Sequence, residues 1–365
     1  MPERSGRDVV VVGAGIIGLA CAWRAQQRGL SVLVVEGSSA GAGASGVAAG
    51  MLAPVTEAEF VDQELLQLNL AGFELWQEFA SELSADLHHV RTGALVVAAD
   101  RDDAEELRRL QQFQRSLGLE TDWLTPSQAR RLEPALSPRV GGAILAPHEQ
   151  HVDPVAVVRA LLAQGLDVIE GDPVTAVDEH GVRLRSGATV EADQIVIAAG
   201  CWSGSGIEGV AQIPVRPVKG QILALRRPLD RPLSGHLIRT PRCYVLDRGD
   251  GRIVLGGTME EQGFDTRVTV DGVYRLLEAA WEVLPDVSEL EFAGARAGLR
   301  PGTPDNLPVI GRGEPPNVIW ATGHYRNGVL LTPITALAVA ELLTGGEPPA
   351  AVKPFTPERF EVGVR

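Results

Sequence analysis

Gly13, Gly15 and Gly18 stand in the spacing GxGxxG, and a single carboxylate, Glu36, follows one helix and one strand later. The chemistry open to that set is dinucleotide binding. Gly13 permits a tight turn, Gly15 lets the backbone approach a pyrophosphate, and Gly18 lets a helix lie close on a strand. The helix opening at Ile16 and Ile17 offers amide donors and a partial positive charge to the phosphates. Glu36 can accept both hydroxyl hydrogens of an adenosine ribose, and an acid there favours a free 2′-hydroxyl over NADP. The motif alone does not choose between NAD and FAD. Two later stretches lean toward FAD. GAGASGVAAGMLAP, 41–54, is small-residued where a simple NAD dehydrogenase would enter a helix, as if bare backbone ran along a cofactor. DQIVIAAGCWSG, 193–204, ends a strand in Ala-Ala-Gly; the plainer reading is a glycine-ended core strand.

The elements that must position these residues can be read from apolar spacing. Residues 9–12 and 31–35 are continuous apolar runs, as strands covered on both faces require, and residues 16–28 carry helical spacing ended by Gly29. Together they make a βαβ unit. Helices are expected over 56–85, 102–118 (a surface helix), from Thr125-Pro126, over 152–162, 271–284 and 333–343. Strands are expected at 93–99, 194–198, 317–321 and through the sheet-rich stretch 213–258. That stretch reads as inserted between segments of a nucleotide-binding fold. The fold class is therefore α/β: a Rossmann-like FAD-binding domain from residues 1–88, 150–210 and 296–365, with a second, antiparallel-sheet (α+β) substrate domain from 89–149 and 211–295.

The chain of 365 residues can bury a large core, and its composition, 45% hydrophobic and 22% charged, is that of a globular protein. A formal charge of −14 with scattered arginines argues against nucleic acid or an anionic membrane as partner. Cys21, Cys201 and Cys243 are odd in number and widely spaced, so neither a disulfide framework nor a metal site is indicated. No signal-like apolar segment precedes the glycines, and a cytoplasmic location is expected.

Gly13–Gly18, Glu36, ASGVAAGMLAP, IVIAAGCWS, AGLRPGTPDNLPVIG and ATGHYRNGVLL occur in order over nearly the whole chain. Together they resemble the D-amino-acid oxidase superfamily of FAD-dependent amine oxidases, and within it the glycine oxidase branch. The resemblance implies FAD with Ile16 and Ile17 at the pyrophosphate turn and Glu36 on the ribose. It puts Ala44 and Ser45 at phosphate or ribitol, and Ala49, Gly50 and Met51 beside the isoalloxazine ring. Val174 falls on the adenine side, with His324, Tyr325, Arg326, Asn327, Gly328, Val329 and Leu330 as a loop over the pyrimidine end. His324 is expected to act through its backbone, without acid–base duty. No cysteine lies beyond Cys243, so the FAD is expected to be non-covalent.

For the substrate the resemblance singles out Arg300, in a turn before Pro301, as a bidentate carboxylate clamp. Tyr244 is to donate its hydroxyl to the same carboxylate, and Met259 is to form an apolar wall. Arg326 is a further candidate to face the substrate. Arg242 stands where related enzymes often carry His, which would put an extra cation near the pocket entrance. The implied reaction converts glycine, or another small amine or D-amino acid, with oxygen and water to a keto acid (glyoxylate), ammonia and hydrogen peroxide. The imine would serve the thiazole of thiamine. No catalytic acid or base is assigned, the redox chemistry being the flavin's. A homotetramer is the expectation from the resemblance. The alternatives are a quinone-linked D-amino acid dehydrogenase, a sarcosine or N-methyl amino acid oxidase, and a non-enzymatic FAD redox sensor.

Overall fold

Residues 9–12 need apolar cover on both faces, and the structure provides it. In the computed structural model, which describes residues 6–58 and 63–360, strand β1 (Arg7–Val12) runs parallel to β2 (Val32–Val35) with helix α1 (Ile16–Gln27) crossing between them. Val9, Val10 and Val11 are fully buried, and Cys21 lies in the same core as a small apolar residue. Helix α1 ends where Gly29 turns to φ +83°; its amide and that of Leu30 return to carbonyls in the last turn.

A short strand, β3 (Met51–Leu52), precedes two helices, α2 (Gln63–Glu74) and α3 (Trp76–Leu83). The helix expected over 56–85 is thus two, and part of it, 59–62, lies outside the described residues. Trp76 and Phe79 pack edge-on, and Phe79 meets Trp23 in the same way, locking α3 to α1. The chain then builds β4 (Ala94–Ala98), α4 (Arg101–Ser116), β5 (Asp122–Leu124), α5 (Pro126–Leu132) and β6 (Gly142–Ala146). Thr125 and Gln128 form a reciprocal capping box at the start of α5. Helix α4, read as a surface helix, does bury one side through Ala104, Leu107, Gln111 and Gln114.

Strand β7 (Gln150–His151) pairs with β3 and leads through the Asp153 cap into α6 (Pro154–Leu162). Then come β8 (Asp167–Ile169), β9 (Val174–Asp178), β10 (Gly181–Leu184) and β11 (Thr189–Ile197). The sheet-rich stretch is β12 (Arg216–Arg226), β13 (Leu237–Arg239), β14 (Tyr244–Asp247) and β15 (Arg252–Gly256). Helix α7 (Val270–Val283) and the long β16 (Glu291–Gly302) follow. The chain closes with β17 (Val309–Arg312), β18 (Val318–Thr322) and α8 (Thr332–Leu343).

Two large sheets result. The first runs β17-β18-β11-β1-β2-β8, with β10 and β9 continuing from β11; its core strands are parallel, and β17 is antiparallel. The second runs β16-β12-β15-β14-β13-β4-β6-β5 and is antiparallel except for the β13–β4 pair. The α/β class with a Rossmann-like sheet and a second sheet is thus present as expected. The sheets draw on interleaved stretches of chain.

The small-residue segment has more than one cause. Gly50 sits at φ +84°, and a Cβ there would lie 2.0 Å from the Val152 carbonyl and 2.8 Å from the Pro154 ring. Its smallness is demanded by the close approach of the β7–α6 connection, not by a cofactor alone. Gly50→Val is therefore expected to lower unfolding free energy by about 2–4 kcal/mol in flavin-free and flavin-loaded protein alike. Chemical denaturation would show this; a variant with unchanged stability that merely loses flavin would refute it.

Candidate active site

A cavity of about 980 Å³ extends from the β1–α1 turn to the face of the second sheet. At the turn, Gly13, Gly15, Ile16 and Ile17 line it. A Cβ on Gly15 would meet nothing within 4 Å except Ser45 Oγ, so the backbone is bare toward the cavity, as close approach of a pyrophosphate requires. Gly18 faces inward instead: a Cβ there would stand 1.9 Å from the Gly13 carbonyl, so this glycine permits the packing of helix on strand. Helix α1 has no side-chain cap of its own, but the Ile16 amide donates to Ser45 Oγ at 2.9 Å. Glu36 is oriented by amides of Ala14, 2.8 Å to Oε2, and Ser38, 2.9 Å to Oε1. Ala44 and Val174 also line this end, as do Ala198, Ala199 and Gly200 beyond β11. The strand ending in Ala-Ala-Gly thus does bring backbone to the cavity.

Farther along, Ala49, Gly50 and Met51 line it together with His324, Tyr325, Arg326, Gly328 and Val329. Asn327 and Leu330 are outside the lining and support the loop from behind: the Asn327 amide donates to the His324 carbonyl, and the Leu330 carbonyl accepts from Trp76 Nε1 at 2.8 Å. The Tyr325 amide donates to the Pro301 carbonyl at 2.9 Å, tying this loop to the second sheet. His324 Nε2 lies 3.0 Å from Thr335 Oγ1, and burial pushes its pKa down to about 3, so the ring is neutral and unsuited to acid–base work near pH 7.

The far end is built by strands of the second sheet. Arg300 is not in a turn: it lies within β16, opposite Val218 of β12. Its Nη1 donates to the Thr258 carbonyl at 3.0 Å, and a Cβ on Gly220 would fall 2.3 Å from the same nitrogen. Among the described residues no carboxylate lies within ion-pair distance of it. Tyr244, on β14, has its hydroxyl where a Cβ on Gly256 would approach to 2.4 Å. Burial raises the phenol pKa more than the nearby Arg300 lowers it, keeping a proton to donate. Met259 lines the cavity but is 59% exposed, a rim residue whose sulfur accepts from the Tyr325 hydroxyl at 3.3 Å. Arg326 pairs with Glu57 at 2.6 Å. Arg242 lines the mouth, and its guanidinium is bound by Glu282 of α7.

Several participants escaped sequence reasoning. Leu107 of α4 and Arg239 of β13 line the cavity, and Thr56 stands beside Arg239. Arg248 lies buried behind the Ala49–Met51 stretch, donating to the carbonyls of Val152, at 2.5 Å, and Ala49. Burial lowers its pKa to about 10. Nothing in the local sequence RCYVLDRG distinguishes that arginine from an exposed one.

A glycine-spaced turn at a helix start, a bare-backboned cavity and an arginine that reaches it from a second sheet are the frame of an oxidoreductase working with a flavin dinucleotide. The chain belongs to the FAD dependent oxidoreductase family, whose model matches residues 8–342, and its cofactor is FAD. It is 33% identical to the glycine oxidase of Geobacillus kaustophilus across 98% of each chain. The crystal structure of that enzyme superposes with a TM-score of 0.89 over 96% of this chain and 98% of the other. It is 31% identical to the bifunctional protein ThiO/ThiG of Trichormus variabilis, over 97% of this chain and 55% of that one. The iminodiacetate oxidase of Chelativorans shares 25% identity and a TM-score of 0.86, covering 96% and 98%.

His324 also makes a prediction for stability. Its folded pKa is far below the ordinary 6.5, so below that value the unfolded chain binds a proton that the folded one refuses. Its contribution to stability is intact above about pH 6.5 and lost as pH falls toward 3. Denaturation of the parent and of His324→Asn from pH 7 to 4.5 is expected to show the parent losing ~1.4 kcal/mol more per pH unit at the steepest point. Parallel curves would contradict this.

Proposed function

We propose that the enzyme oxidises the C–N bond of glycine and of other small amines and D-amino acids. For glycine the balance is glycine + O2 + H2O to glyoxylate, NH3 and H2O2, and the imine is the form handed on for the thiazole of thiamine. One observation carries this reading: Arg300 reaches the cavity from near the C-terminal end of β16, beside a protonated Tyr244, with backbone carbonyls and, among the described residues, no carboxylate within ion-pair distance. A guanidinium so placed recognises a carboxylate through two parallel N–H donors, and the phenol adds a third.

When bound, FAD supplies the two-electron acceptor. The residues Gly13, Gly15, Ile16, Ile17, Ala44, Ser45 and Glu36 are assigned to its nucleotide part, with Gly18 supporting the turn and Val174 on the adenine side. Ala49, Gly50, Met51 and the 324–330 loop are assigned to its ring. Arg300 and Tyr244 hold the substrate by its carboxylate and so fix the orientation of Cα; such fixing converts an encounter into an effectively unimolecular step. Met259 and Leu107 exclude water and bulk. We assign no side chain as base: His324 is neutral and bonded to Thr335, and Glu57 is bound by two arginines.

The two sheets support a division into a discontinuous FAD-binding domain and a substrate domain, but the boundary expected at 296 falls inside β16, which pairs along its whole length with β12 and so belongs to the second sheet. A homotetramer is proposed from the resemblance. Among the described residues no helix is long and apolar enough to cross a membrane.

The test is aerobic incubation of the purified yellow protein with glycine, sarcosine, D-alanine and D-proline, with peroxide measured. Peroxide from glycine is expected. Bleaching of the flavin by glycine without peroxide in air would point instead to a dehydrogenase, and sole activity on sarcosine to an N-methyl amino acid oxidase. Arg300→Ala is expected to raise KM for glycine about 100-fold or more, ~3 kcal/mol, with flavin content unchanged. Unaltered kinetics would remove Arg300 from the site.

A further inference from the structure

Four guanidiniums line the cavity toward its substrate end: Arg239, Arg242, Arg300 and Arg326. An unmodified set of four cations would favour a substrate with several carboxylates. The structure prevents this by supplying protein carboxylates to three of them. Arg242 is held by Glu282, outward against α7. Arg239 and Arg326 share Glu57, at 2.7 and 2.6 Å. Glu57 is itself outside the cavity lining, with a side chain only 10% exposed. Burial works to raise its pKa, but the two arginines outweigh burial, so the carboxyl is held below its usual range and remains charged.

The contact with Arg239 is one of charge more than of hydrogen bonding: Glu57 Oε1 lies 2.7 Å from Arg239 Nη1 without an aligned hydrogen bond, and the attraction depends on distance. Arg239 Nη1 completes its shell by donating to Thr56 Oγ1 at 2.9 Å. Arg239 is buried, so its charge is not dispersed into solvent; Glu57 pairs with it directly, and Glu149 acts on it from behind Thr56, whose hydroxyl donates to Glu149 Oε2 at 2.9 Å.

We infer that Glu57 is a specificity-determining residue: by holding Arg239 and Arg326 it leaves Arg300 as the cation that receives the substrate, and restricts the site to amines with one carboxylate. The inference rests on the reading of Arg300 as the carboxylate clamp. Discrimination of this kind works by rejecting the wrong ligand, because a second carboxylate would be desolvated without a free cation to meet it. Replacing Glu57 by Gln releases Arg239, chiefly, toward the cavity. A dicarboxylic amine would then find a partner for each end.

The experiment uses flavin-loaded protein and two redox-inert probes, acetate and malonate, titrated calorimetrically. The parent is expected to bind acetate at least 10-fold more tightly than malonate, and Glu57→Gln to shift that ratio at least 10-fold toward malonate. The ratio of kcat/KM for iminodiacetate over glycine is expected to move in the same direction. A folded Glu57→Gln protein whose binding ratio stays within about twofold of the parent overturns the inference, as does a parent that already prefers malonate. Should Glu57→Gln not fold, Arg239→Gln decides. The inference expects its acetate-to-malonate ratio to be unchanged, because the cation it removes is already engaged; a 10-fold loss of acetate binding would show Arg239 to be a ligand and overturn it. The titrations need no turnover. Absence of peroxide from glycine would therefore count against the proposed reaction while leaving this inference separately measurable.

Discussion

A cation in a protein interior needs something to offset its lost hydration, and the natural remedy, a carboxylate from the same chain, would abolish its use as a receptor for a substrate carboxylate. On the proposed reading of Arg300 as that receptor, dipoles resolve the conflict. Carbonyl oxygens from Thr258 and Lys219 face its Nη1, and Gly220 leaves the space that the guanidinium fills. The requirement reaches well beyond one residue. It needs β12, β15 and β16 in one register, because β12 gives the Lys219 carbonyl and the opening at Gly220, the segment just after β15 gives the Thr258 carbonyl, and β16 gives the side chain. The second sheet can be understood as the frame for this arrangement.

The other end of the cavity is governed by contact distance. Gly13 and Gly18 allow helix and strand to meet more closely than any side chain would permit, and Glu36 takes its orientation from the amide of Ala14 within that turn. Between the two ends, β3 and β7 form a small ribbon, and Arg248, just beyond β14, binds carbonyls on both sides of it. The loop after β18 is tied to β16 through Tyr325 and Pro301. These ties set the separation of the nucleotide end from Arg300, and that separation is what an extended dinucleotide has to span.

Local signals made the nucleotide end legible. A continuous valine run, three spaced glycines and a following acid describe β1, α1 and β2 almost to the residue, and Thr125-Pro126 with Gln128 describes the start of α5. The far end was less legible for a physical reason. Arg300 lies in β16 amid Gly298, Pro301 and Gly302, residues that usually mark a turn; their strand state comes from pairing with β12, information held elsewhere in the chain. Arg300 and Tyr244 were found by family likeness, not periodicity. Glu57 was invisible, since its meaning depends on two arginines distant in sequence. Gly50 was identified as special, but the obstacle that its missing side chain avoids is the Val152 carbonyl, which no local pattern discloses.

The interleaving of the sheets has a consequence for synthesis. Strand β11 lies at the centre of the first sheet, between β1 and β18, and β18 is among the last elements made. The loop that closes over the cavity comes later still, followed by α8, which packs against α1 from the opposite end of the chain. A nascent chain with β1, α1 and β2 complete therefore has the phosphate turn but neither the neighbouring strand nor the roof of the cavity. Contacts of such long sequence separation are slow to form and are assembled only once the chain is nearly finished. On the proposed assignment of the 324–330 loop to the flavin ring, enclosure of the flavin waits for the C-terminal segment, and a truncated chain would keep the fingerprint of a dinucleotide protein without that enclosure.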